Sequence, residues 1–152
     1  MYAYDPGFRL QGEGQHIILK EIQGFDHRVM LINFALTGNM YDSDFSVVND
    51  FMLSGKFAIN IWILLNKGTI KTIVNLDLLQ NHTNIVHFIQ RFYEGDQVTA
   101  EMVGTERQVF ARIYVVGDSR LEIKEVSKFI HEHLEIYDQH GDSMIVDRFY
   151  PE

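Results

Sequence analysis

The most apolar run of the chain lies in residues 56–79, KFAINIWILLNKGTIKTIVNLDLL. Its pattern predicts two strands joined by a turn at Asn66-Lys67-Gly68. Successive strand side chains point to opposite faces. Phe57, Ile59, Ile61, Ile63 and Leu65 therefore share one face, and Ala58, Asn60, Trp62 and Leu64 share the other. Both faces are largely apolar, so this strand is expected to be central in a sheet and covered on both sides. The second strand is more polar, with Ile70, Thr72, Val74 and Leu76 opposite Lys71, Ile73, Asn75 and Asp77.

The flanking segments are read against this hairpin. Residues 15–23 (QHIILKEIQ) and 27–36 (HRVMLINFAL) predict two further strands, turned at Gly24-Phe25-Asp26. Residues 43–53 favour a short helix capped by Ser43 or Asp44, with a strand as the competing reading because Val47 and Val48 are β-branched. In residues 83–94, Ile85, Phe88, Ile89 and Phe92 recur at helical spacing and Gly95 supplies a left-handed stop. Residues 97–103 and 109–116 predict another hairpin. Ser119-Arg120-Leu121-Glu122 matches a capping box and opens a helix expected to run to Gln139, with Gly141 ending it. Residues 144–147 form a possible edge strand.

Hairpins interleaved with helices predict an α+β protein: a largely antiparallel sheet of about six strands with two to three helices. Residues 27–103 taken alone read β-α-β-β-α-β, the ferredoxin-like order. No linker divides the chain, so a single α+β domain over 1–152 is expected, with residues 1–14 as a lead-in arm and 143–152 as an edge strand and tail.

Composition narrows the function classes. At 152 residues the chain can bury roughly two-thirds of the surface its unfolded form exposes. A net charge of −8 disfavours tracking a phosphate backbone or docking on an anionic membrane, so neither nucleic acid nor membrane is an expected partner. The absence of cysteine removes thiol catalysis, cysteine metal sites and disulfides. The start of the chain lacks the basic-then-apolar pattern of a secretory signal, and the apolar run is too short to span a bilayer, which together predict a soluble cytoplasmic protein.

The densest polar cluster is His131-Glu132-His133-Leu134-Glu135-Ile136-Tyr137-Asp138-Gln139-His140. Imidazole and carboxylate suit a divalent metal, making His131, His133, His140 and Asp138 the candidate ligands. On a helix, however, His131 and His133 diverge by about 200°, whereas chelation needs a spacing of three or four. The plainer reading is the polar face and last turn of an amphipathic helix. His16, His27, His82 and His87 stand apart from one another in sequence and read as structural. The glycines of residues 7–14 lack the Lys-Ser/Thr of a phosphate loop. No nucleophile elbow is present.

Aromatic residues are plentiful, with 11 Phe, 7 Tyr and 1 Trp, but few cations stand among them. They read as core, with any excess marking an interface or an apolar pocket. Phe57, Ile59, Trp62, Ile63, Phe92 and Tyr93 are the candidates. The leading expectation is an acidic, non-catalytic interaction or regulatory module that self-associates, as a homodimer, and binds a protein partner without a cofactor. Two alternatives compete with it: a small-ligand-binding domain, and a small metal-dependent enzyme using the histidine-rich segment. No catalytic residues are assigned.

Overall fold

The computed structural model describes residues 14–40, 55–148 and 150. The predicted helix over 43–53 and most of the predicted arm lie outside the described residues. The chain divides into two compact units, with the boundary between Gly55 and Lys56.

In the first unit, both predicted strands are helices: α1 (Gln15–Gln23) and α2 (His27–Thr37). Gly24, at φ 76°, ends α1 with a left-handed residue whose amide bonds Lys20 O. Asp26 then caps α2, accepting from the Arg28 amide at 2.9 Å. Its carboxylate also grips the Arg28 guanidinium through both oxygens, at 2.9 and 2.6 Å. These bonds hold the Asp26 carboxyl far below the usual carboxylate range. Short runs rich in Ile, Leu and Val do not reveal their period, and the cap decides the outcome here.

The second unit contains β1 (Phe57–Leu64), β2 (Gly68–Val74), α3 (Leu76–Gln80), β3 (Ile85–Gln90), β4 (Gln97–Val98), β5 (Val109–Gly117), α4 (Arg120–His133) and β6 (Glu135–Asp138). The strands form two three-stranded sheets, ordered β1-β5-β3 and β4-β2-β6, and every pairing is antiparallel. The α+β class with six antiparallel strands holds, with four helices among the described residues where two to three were expected. Its sheet is two sheets, and the ferredoxin-like order over 27–103 is not found: residue 27 opens a helix and residues 85–90 are a strand.

Several pairings differ from the expected ones. β1 and β2 are not a hairpin. Leu65, Asn66 and Lys67 carry the chain from one sheet to the other, and the C-terminal segment closes that corner: Asn66 N donates to Met144 O at 2.7 Å and Val146 N to Leu64 O at 2.9 Å. The predicted edge strand at 144–147 is reduced to this role, with a single bridge between Leu65 and Ile145. The central strand is β5, fully buried save for Arg112, and β1 lies at the sheet edge with its first two residues exposed. Residues 83–94, expected as a helix, instead contain the strand β3, because Ile85 and Phe88 pair with Val115 and Ile113 of β5. Tertiary pairing overrides a helical spacing made of β-formers. The predicted 97–103/109–116 hairpin is likewise split, β4 pairing with β2 and β5 with β1 and β3.

The Ser119 start of α4 is as expected: its Oγ accepts from Glu122 N at 3.1 Å, and the Glu122 carboxylate accepts from the Asp118 amide. The helix ends at His133, six residues early, because Leu134 and Ile136 are drawn into the core and residues 135–138 pair with β2. Ile123, Val126 and Ile130 of α4 pack with Ile61, Ile63, Ile113 and Val115 of the first sheet. Ile70, Val98, Leu134, Ile136 and Met144 continue the same core into the second sheet.

Candidate functional site

A cleft of about 710 Å³ opens where β2 runs into α3 beside the end of β3. Local sequence explains its shape. Asn75 takes φ 62°, a left-handed conformation that Asn tolerates, and so turns β2 directly into α3. The Asn75 Nδ2 donates to His133 O at 2.9 Å, fixing this bend to the end of α4. Across the cleft, the turn after β3 is held by three bonds: Ile73 N to Glu94 Oε1 at 2.9 Å, Tyr93 N to Asp96 Oδ2 at 2.7 Å, and Gln90 Nε2 to Phe92 O at 2.8 Å. Ile73, Leu76 and Leu78 supply apolar wall, Asp77 and Glu94 supply carboxylates, and Tyr93 stands 61% exposed at the rim.

Of the predicted interface or pocket residues, only Tyr93 lines this cleft; Phe92 packs against the core. Ile59 and Ile63 face the core from β1. Phe57, at the exposed start of β1, lies 5.9 Å from the Arg120 guanidinium. Trp62 points to the opposite face, where the Arg112 guanidinium sits 4.3 Å from its ring centroid. Arg112 also pairs with Glu106 at 3.4 Å. The register aligns Asn60 and His87 with Tyr114, and Trp62 and Ile89 with Arg112, so one sheet face carries a polar and aromatic row. Its signal in the sequence is the alternation of Arg112 and Tyr114 within an otherwise apolar β5.

The histidine-rich segment is dispersed over three elements. His131 is buried on α4, and its Nε2 has no hydrogen-bond partner among the described residues. Burial and the nearby Arg148 charge push the imidazole below its usual range, and Asp147 opposes them. His133 stacks on Phe129 at 4.3 Å between ring centroids, with Nδ1 2.8 Å from Phe129 O. Asp138 ends β6 and His140 lies in the turn after it, where Asp138 Oδ1 accepts from the amides of His140 and Asp142 at 2.8 and 3.0 Å. Burial would raise the Asp138 carboxyl, but these amides and the His140 charge outweigh it and hold it low. Among the described residues no three or more His, Asp or Glu side chains gather where they could hold a metal ion.

Asn75, Leu76, Asp77, Gln90 and Glu94 of the cleft escaped the sequence reading. The available signal was Asn75, a left-handed-tolerant residue sitting between a β-branched run and Leu76.

No family model matches the chain, and no curated protein matches it. Among solved structures it is similar to the L-amino acid ligase from Bacillus licheniformis, with a TM-score of 0.67 at 20% identity. The likeness covers 86% of this chain and 32% of that one, so the chain spans about a third of the ligase's length. At that identity the likeness concerns the fold alone. No helix among the described residues is long and apolar enough to cross a membrane.

Proposed function

We propose that this acidic chain is a non-catalytic, cytosolic interaction module whose α2 is covered by another protein surface, and that its working context is a larger amino-acid-ligating assembly. A second copy of the chain is the first such surface to test. The observation that carries this reading is α2 itself. Val29, Ile32 and Leu36 are 52%, 57% and 78% exposed, Phe34 is 42% exposed, and only Met30 is buried. A helix that is apolar all round belongs inside a structure. Each such side chain gains about 1.5–3 kcal/mol when fully withdrawn from water. The ligase likeness supports the class of assembly, since there the matched region accompanies about twice its own length of further chain.

Sedimentation across the micromolar range tests the self-association. The wild-type chain is expected to sediment as a dimer or larger species, and an Ile32→Glu/Leu36→Glu variant as a monomer. A wild-type chain that stays monomeric throughout that range overturns self-association. Phosphate release by the isolated chain, given a nucleoside triphosphate and L-amino acids, would overturn the non-catalytic reading.

A further inference from the structure

We infer that the cleft between the β2–α3 bend and the turn after β3 receives a basic side chain, above all arginine, from an extended segment of a partner protein. This goes beyond the α2 reading: it concerns a different surface, and its test does not depend on α2.

Three features converge on this guest. Asp77 and Glu94 line the same cleft, and among the described residues no Lys or Arg lines it and neither acid has an ion pair. A carboxylate offers about four acceptor sites, and the Ile73 amide occupies one at Glu94. The Tyr93 ring at the rim offers a flat face on which a guanidinium stacks. Ile73, Leu76 and Leu78 provide the apolar wall that a three-carbon stem covers while its charged head stays near the acids. Charge complementarity argues for a protein segment as the source, because a chain of net charge −8 draws a basic partner toward it before contact. A free amino acid brings its own carboxylate toward the same two acids and is disfavoured.

The cleft is also pre-formed. The left-handed Asn75 and the three bonds of the 90–96 turn fix its two walls, so little ordering is lost on binding.

The test uses the full chain labelled with nitrogen-15 and a short capped peptide with one arginine among glycines and alanines. Titration is expected to shift the amides of Ile73, Asn75, Tyr93 and Glu94 before others. Replacing that arginine by citrulline should abolish the shifts, and added salt should weaken binding. Asp77→Asn and Glu94→Gln, which keep shape and the Ile73 bond, should each weaken binding by about two- to fivefold. Tyr93→Leu should weaken it comparably. The inference is overturned if those amides do not move at millimolar peptide. Equal binding of the citrulline peptide or of the acid-to-amide variants would also overturn it. Free arginine binding as tightly as the peptide would overturn the protein-segment assignment. The α2 double variant should bind the peptide normally, so failure of either proposal is visible without the other.

Discussion

Ile113→Ala is expected to cost the 56–152 unit two to three times what Ile59→Ala costs, although both replacements remove the same three carbons. Ile113 is fully buried in β5, aligned with Ile61 of β1 on one side and Phe88 of β3 on the other, in the core that α4 covers. Removing three buried carbons forfeits about 2.4 kcal/mol of transfer free energy at ~0.8 kcal/mol each. The hole left between two strands and a helix cannot collapse freely, which brings the expected loss to about 3–4 kcal/mol. Ile59 is only partly buried on an edge strand, so solvent and neighbours refill its place, and about 1–1.5 kcal/mol is expected. The assay is equilibrium unfolding in urea followed by fluorescence of Trp62, the sole tryptophan, which lies in β1 and therefore reports on this unit. With a slope of about 1–3 kcal/mol per molar urea, Ile113→Ala should lower the midpoint by 1 M or more. An Ile59→Ala loss equal to or larger than that of Ile113→Ala would refute the assignment of β5 as the central strand.

Two further outcomes concern α4. Ser119→Ala should destabilise the same unit by about 1 kcal/mol, since its hydroxyl caps Glu122 N, and Ser119→Asp should restore most of the loss; thermal melts of the three proteins decide this. His131 has a folded-state pKa below its ordinary value of 6.5, so the unfolded chain takes up the proton more readily than the folded one. Its contribution is therefore complete above pH 6.5 and declines as the pH falls through that value toward the lower, folded-state pKa. Urea midpoints measured through that window should fall more steeply for wild type than for His131→Gln, and parallel slopes would refute the burial argument.

Legibility in the sequence followed how local each decision is. The start of α4 was readable because Ser119 and Glu122 settle it between themselves. The end of α4 was not, because it depends on residues 135–138 finding β2, more than sixty positions earlier. Ile85, Phe88, Ile89 and Phe92 satisfy a helical spacing and a strand equally in an apolar run, and only the pairing with β5 selects the strand. The apolar segment 56–65 reads as a central strand covered on both sides, but a strand can be apolar on both faces and still occupy a sheet edge. Residues 15–36 mixed β-branched and helix-forming residues without a clear period, and the decisive features were the left-handed Gly24 and the Asp26 cap. Tyr93 was named as an interface or pocket candidate, whereas its cleft depends on the left-handed bend at Asn75 and on Glu94 bonding the Ile73 amide, which no spacing encodes.

The pairing of β1 with β5 has a consequence for biosynthesis. Phe57 aligns with Gly117 and Leu64 with Val109, so the hydrophobic edge strand leaves the ribosome well before its partner exists. At about 5–20 residues per second, Phe57 waits roughly 3–12 s for Gly117 to be made, with FAINIWIL unpaired meanwhile. An eight-residue segment of high β-propensity, without charge or proline, is then a template for the same segment on a neighbouring nascent chain. Yield of native protein should therefore rise when translation is dilute or when a holdase meets the chain early. The exposure falls when residues 109–117 emerge and β5 takes one of the two edges that a stranger would otherwise use.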